Sequence, residues 1–349
     1  MQNSMKLSRY LLPALALVLG SVLMQGCKKD KETEVKYMDG VLRLQVPPFV
    51  ECGYTKTFLV DTLMTLSRSD GGPIGYYFYN ADSGVRDTVV RADGSFKSHY
   101  YTLQTPVTPS SVTLYLYAFA DASSNYSMDY TGVTFMVVRP GVDGTGSIKN
   151  FDTAGYESFT DERDGLEYYT VEAGGNTWMR QNLAWKGAGA SYIECEAMSE
   201  LFGRYYTWEE AQTACPDGWR LPTDAEWAAL QDGGEVGQNI SGLAGKLMGN
   251  ITFNDIKMWS YWREVDITDA LHFSVMPCGY AVTGEGEYNF TGVFGYATFW
   301  TADATADGQA GLRYIYQDRD ILYYAKVSQT EFASTVRCVK DVPQEPVLK

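Results

Sequence analysis

Histidine is scarce in this chain of 349 residues, which holds only His99 and His272. Imidazole-based zinc sites and Ser-His-Asp triads are therefore poorly supplied, and no spacing of cysteines and carboxylates suggests a substitute. Long apolar runs are missing beyond a single one, Leu11 to Met24, so no transmembrane helix is expected elsewhere. Positive charge is short as well: 28 Lys and Arg face 43 Asp and Glu, a formal net charge of −15. Without residues 1–26 the chain loses Lys6 and Arg9, and −15 becomes −17. So acidic a surface repels phosphate backbones, which argues against nucleic acid as a partner. Tryptophan is absent before Trp178, although the chain holds eight from there on, and the length leaves room for two domains. Two differently composed pieces have been joined.

What is present begins with the apolar run. Residues 1–27 read MQNSMKLSRYLLPALALVLGSVLMQGC, with Lys6 and Arg9 ahead of the run and Gly26-Cys27 behind it. That layout predicts an export signal over 1–26, too short and too cleanly ended for a spanning helix. It also resembles a bacterial lipoprotein signal, which implies that Cys27 becomes the acylated first residue. A charged tether follows over 27–40. Its KKDKETE run resembles the signals that send Bacteroidetes lipoproteins to the outer face of the outer membrane. The expected location is the outer membrane, lipid-anchored and facing the cell exterior.

Residues 41–140 hold short stretches such as VLRLQV, GYYFYN and SVTLYLYAFA, rich in Val, Leu, Thr and Tyr. Turn residues separate them, including Pro47-Pro48 and Gly71-Gly72-Pro73, and no helical period appears. The spacing predicts a small antiparallel β-sandwich. In TLYLYAFA the alternation sets Leu114, Leu116, Ala118 and Ala120 on one face and Tyr115 and Tyr117 on the other. This piece resembles the immunoglobulin-like modules that space domains away from bacterial surfaces. Residues 141–158, rich in Gly, Thr, Ser and Asp, read as a linker. Within it Asp152-Thr153-Ala154 resembles the O-glycosylation sites of exported Bacteroidetes proteins and makes Thr153 a candidate.

The stretch TWEEAQTACPDGWRLPTDAEWAAL, 207–230, is dense enough to raise the question of a site. Thr207 precedes Glu210 by three residues and Thr223 precedes Glu226 by three, and each pair fits a capping box. Two helices follow: one over 208–214 with Trp208, Ala211 and Cys215 on one stripe, and one from Asp224 with Trp227 and Leu230 inward. Gly233-Gly234 is the expected stop of the second helix. Both glutamates thus have capping work, and neither is read first as a general acid.

Six ordered blocks between 159 and 341 resemble the Fibrobacter succinogenes major paralogous (FISUMP) domain: FTDERDGLEYYTVEAGGNTWMRQNLAW, GRYYTWEEAQTACPDGWRLPTDAEWAAL, LAGKLMG, FSVMPCGY, GVFGYATFWTA and STVRCVKD. The W-x-x-A-x-x-x-C…E-W pattern is also similar to the C-type lectin-like fold. That likeness implies a disulfide between Cys215 and Cys338, which an exported protein can form. With Cys27 acylated, at least one of Cys52, Cys195 and Cys278 stays unpaired; a Cys195–Cys278 bridge is one possibility, since connectivity does not follow from sequence. The expected architecture is an N-terminal all-β immunoglobulin-like sandwich, an α+β C-type lectin-like domain over 159–341, and a tail over 342–349.

GWRLPTDAEW resembles a run in formylglycine-generating enzymes, but the close cysteine pair those enzymes use for copper has no counterpart here. The Glu-Pro-Asn, Gln-Pro-Asp and Trp-Asn-Asp triplets of calcium-dependent lectins are missing too, and the acidic loops 284–292 and 301–309 read as solvated turns. No enzyme, cofactor or metal is therefore expected. Recognition is left to aromatic residues in the loops after the second helix: Trp259, Tyr261 and Trp262, then Tyr288, Phe290, Tyr296 and Trp300. The leading expectation is an adhesin that binds a glycan or protein ligand. The alternative is an accessory or tip subunit of a pilus-like surface assembly.

Overall fold

The computed structural model describes residues 34–139, 148–149, 151–253, 256–305 and 307–341. The expected export signal, Cys27 and the first half of the tether, and the 342–349 tail lie outside the described residues. Strand dominates, helices are short, and none of the described helices is long and apolar enough to cross a membrane.

In the first piece β1 (Phe49–Glu51), β2 (Thr55–Leu59), β3 (Gly75–Asn80), β4 (Val85–Val90), β5 (Tyr100–Gln104), β6 (Ser110–Phe119) and β7 (Asp129–Val138) form two sheets. A five-stranded sheet runs β1-β7-β6-β3-β4, and β2 pairs β5 in a separate ribbon. The alternation in β6 works as expected: Leu114, Leu116 and Ala118 are buried among Phe58, Phe78, Val90 and Leu103, so the ribbon shares a core with the large sheet. Tyr115 and Tyr117 are half-buried on the other face. There Tyr117 stacks between Tyr77 (centroids 4.8 Å) and Tyr130 (5.3 Å), and the Arg86 guanidinium lies 3.7 Å over the Tyr77 ring. Gly132 makes room for this row, since a Cβ there would meet the Tyr115 ring at 2.6 Å.

The second piece holds α1 (Glu196–Phe202), α2 (Trp208–Ala214), α3 (Asp224–Ala228) and α4 (Ala244–Leu247) among several small sheets. Both predicted capping boxes are formed. Thr207 and Glu210 cap α2, and Thr223 and Glu226 cap α3. Burial opposes ionisation of Glu226, but the Arg220 guanidinium at 2.6 and 2.8 Å and the bonds from Thr223 outweigh it and hold the carboxyl below its usual range. Helix α3 stops at Ala229 rather than at Gly233-Gly234. Gly234 serves close packing instead, because a Cβ there would meet the Ala228 carbonyl oxygen at 2.1 Å.

Cys215 and Cys338 form the disulfide that the lectin-like resemblance implies, tying the end of α2 to the closing strand. Cys195 and Cys278 are not bridged; both are free and buried, and burial pushes their thiols up to about 12 and about 11.

Three buried arginines brace the second piece. Arg313 and Asp224 make a fully buried ion pair. Arg180 donates to the carbonyls of His272 and Asp152 and to Ser274 Oγ, and Arg337 donates to Asn182 Oδ1 and the Phe273 carbonyl. Together Arg180 and Arg337 hold a segment in which Asp269, His272 and Ser274 all have positive φ.

The two pieces share a core. Phe49 of β1 is 1% exposed and lies among the rings of Tyr192, Phe202, Phe253 and Phe294, with centroids 5.6 to 5.9 Å away. Met136 and Val138 of β7 enter the same cluster. Glu51 accepts from the Ala197 backbone N–H at 3.0 Å and so caps α1, whose own N-cap residue, Cys195, offers no side-chain bond. The expected linker is also engaged at its far end: strand Ile148–Lys149 pairs with Thr252–Phe253, and Phe151 is buried.

Phe49→Ala removes the ring that four others surround and is expected to cost about 3–5 kcal/mol. All eight tryptophans lie in the second piece, so tryptophan fluorescence during urea unfolding reads the effect there; an unchanged midpoint would mean that the pieces fold independently. The Cys215→Ser/Cys338→Ser double variant, by opening a 123-residue span, is expected to lose up to about 5 kcal/mol. Its unfolding midpoint should match that of the reduced wild type, and a variant as stable as the oxidised protein would contradict the role given to the bridge.

Candidate functional site

The strands Tyr296–Ala304, Gln309–Tyr316 and Ile321–Ser328 form an antiparallel meander, joined at its edge by Ile240–Ser241. Alternation gives each strand two faces. Ala297, Phe299, Ile315 and Leu322 point into the main core. The opposite face carries Tyr296, Thr298 and Trp300 on the first strand, Leu312, Tyr314 and Tyr316 on the second, and Tyr323, Ala325 and Val327 on the third. Helix α2 covers one end of that face, packing Ala211 and Ala214 into a cluster with Trp300, Ala310 and Leu312. Toward the other end lies an open groove of about 380 Å³, lined by Tyr280, Tyr296, Tyr314, Tyr316 and Tyr323 over Leu312, Ala325, Val327 and Phe332.

The tyrosines are half-buried and hold one another in place. Tyr314 stacks on Tyr323 (centroids 4.9 Å, planes 13° apart), Tyr296 lies 4.5 Å from Tyr316, and Tyr280 stacks on Phe332 at 5.1 Å. Tyr296 meets Tyr280 edge-on at 5.8 Å. Burial, reinforced by the neighbouring phenols, pushes the Tyr296 and Tyr314 hydroxyls above the ordinary tyrosine value. Among the described residues, none of the five hydroxyls makes a hydrogen bond to the protein. In the turn that joins the second and third strands, Gln317 Oε1 and Asp318 Oδ1 are buried without a partner among the described residues. Such groups are costly unless something satisfies them.

The aromatic residues singled out in the sequence scatter. Trp259 and Trp300 are 0% exposed, with indole N–H groups donating to the carbonyls of Val275 (2.7 Å) and Tyr206 (2.8 Å), so both are core and leave the candidate set. Tyr288 and Phe290 sit on the strand Glu287–Thr291 but fold back onto the core. Phe290 packs on Tyr192 and Tyr205, and the Tyr288 hydroxyl donates to Glu210 at 3.3 Å. They border a second, polar cavity with Ser191 and Arg204, whose guanidinium is held by Glu196. Tyr261 is 82% exposed and Trp262 38%, on a loop whose rings touch no other aromatic ring among the described residues. Tyr296 alone of the seven reaches the groove. Thr153 is half-buried in a segment pinned by the Arg180 bond to the Asp152 carbonyl.

The sequence reading missed Tyr280, Tyr314, Tyr316, Tyr323 and Phe332. A signal was present in LRYIYQDRDILYYAKV, where Tyr314 and Tyr316 alternate with Arg313 and Ile315 before a polar turn and Tyr323 follows it. Among the described residues no group of three or more His, Cys, Asp or Glu is placed to hold a metal ion. Cys278 is buried beneath Asn182 and Thr335, and Cys338 is committed to the bridge.

No curated protein and no solved structure matches this chain. A family model does: the one described as the Fibrobacter succinogenes major domain matches residues 171–340, within the span where the ordered blocks resemble that family and around every residue of the groove. Over residues 171–340 the chain is a Fibrobacter succinogenes major domain, of the FISUMP type.

Proposed function

We propose that the protein is a non-enzymatic recognition module, displayed on the outer membrane by a lipid on Cys27, that acts as an adhesin by binding a glycan or protein ligand. The N-terminal piece, with two sheets around one core, is read as an immunoglobulin-like spacer. The C-terminal piece, with two capped helices and a bridge from α2 to the closing strand, is read as a lectin-like frame. The observation that carries the proposal is the groove: five tyrosines line an apolar depression and leave their hydroxyls without protein partners among the described residues. Apolar pockets with a few free polar groups are where ligands bind. Against an enzyme stand the buried, high-pKa thiol of Cys278 and the engagement of Glu210 and Glu226 in capping. The alternative of a structural subunit in a surface assembly draws on the second tyrosine row, where half-buried Tyr115 and Tyr117 and exposed Tyr130 give a further surface for contact.

A glycan array and a protein panel probed with the full chain test the reading. Binding is expected, and Tyr314→Ala/Tyr323→Ala should weaken it at least about tenfold, the loss of a small hot spot, in a variant whose circular dichroism still matches that of the folded wild type. Silence on both panels, together with co-purification in a polymer, would move the function to the structural alternative. Cys27→Ser is expected to release the chain from the membrane fraction, and retention there would contradict lipid anchoring.

A further inference from the structure

Carbohydrate stacking needs open ring faces, because sugar C–H groups lie flat against the negative face of an aromatic ring. In this groove the faces are turned toward one another. Tyr314 faces Tyr323 across neighbouring strands and Tyr280 faces Phe332, while Tyr296 lies close over Tyr316. Each pair spends one face of each ring on its partner, which leaves fewer faces free for a sugar. The lining contains no carboxylate, amide or guanidinium of the kind that binds the mixed donors and acceptors of a sugar. It offers O–H groups above an apolar floor of Leu312, Ala325, Val327 and Phe332.

That combination complements a proline-rich chain. Proline has no N–H, so a polyproline II segment presents carbonyl acceptors and apolar rings, and phenolic O–H groups can donate to the first while the floor takes the second. The segment is extended before binding, which lowers the entropy lost on docking. At the turn, two residues beyond Tyr316 of the lining, Asp318 adds a half-buried carboxylate with an oxygen that has no partner among the described residues. A carboxylate there favours a cation. We infer that the groove takes a proline-rich segment of a partner protein in the polyproline II conformation, with an adjoining Lys or Arg set against Asp318. This inference rests on the reading of the groove as the ligand site and narrows the ligand to one class.

Calorimetric titration of the full chain with decaproline, and with decaproline ending in lysine, tests it beside the glycan array. Both peptides are expected to bind, the lysine-ended one more tightly, and Asp318→Asn should abolish that preference. Tyr314→Phe and Tyr323→Phe keep the rings and break no hydrogen bond within the described protein. Each is expected to weaken peptide binding by about two- to tenfold, the worth of one hydrogen bond. Peptide binding that both Phe variants leave unchanged would overturn the donor argument. A glycan that binds and is lost in Tyr314→Ala, with neither peptide bound, would overturn the ligand class while leaving the groove as the site. Absence of any ligand sensitive to Tyr314→Ala would remove both.

Discussion

A β-sheet with apolar residues on both faces needs cover on both, and the meander Tyr296–Ala304, Gln309–Tyr316, Ile321–Ser328 is fully covered on only one. Its inner face is sealed by Phe299 against Trp227, by Ile315 and Leu322 in the main core, and by the buried Arg313–Asp224 pair. On the outer face the cover at one end is α2, together with neighbouring side chains such as Tyr206, Leu221 and Val336. A helix of seven residues spans about 10 Å, whereas strands of eight or nine residues span about 26 Å or more. However it is oriented, α2 cannot close the whole face. It is also fixed where it lies, by its capping box, by the Trp208 indole bond to the Thr301 carbonyl at 2.9 Å, and by the Cys215–Cys338 bridge. The tyrosines fill the remainder: large enough to bury the strand surface beneath them, and polar enough at the tip to meet water.

The same division between frame and surface explains what could be read from the sequence. The starts of α2 and α3 were legible because a capping box is a local device, complete within four residues, whereas α1 takes its cap from distant Glu51 and α4 has none. The disulfide was legible only through the resemblance of the ordered blocks to known families, since its partners are far apart in the chain. The groove was not legible as a site, because it exists only once the register of three strands sets Tyr314 beside Tyr323 and Tyr296 beside Tyr316. Trp259 and Trp300 looked like ligand-facing residues in their loop and strand. Each found a backbone carbonyl for its N–H inside the fold, which removes the reason a buried indole would seek solvent. The boundary between the pieces was blurred for a related reason: Phe49 and Phe151 belong by sequence to the sandwich and the linker, and by packing to the second core.

Joining the pieces through Phe49 and through Glu51 at the start of α1 has a mechanical consequence. A load on the groove passes into the first piece through packed rings and a helix cap rather than through the 141–158 segment alone. Such coupling keeps the groove's orientation tied to the strands beneath it. The dense stretch 207–230 belongs to this frame, and the recognition surface proposed here lies on the sheet that the frame leaves open.

Whether that face is open is measurable without knowing the ligand. Acetylation of tyrosine hydroxyls by N-acetylimidazole, mapped by peptide mass spectrometry on the folded protein, should modify Tyr280, Tyr296, Tyr314, Tyr316 and Tyr323 along with exposed Tyr261, and spare the buried Tyr205 and Tyr206. Groove tyrosines as resistant as Tyr205 and Tyr206 would mean that the outer face is covered, and the site assigned to it would fall.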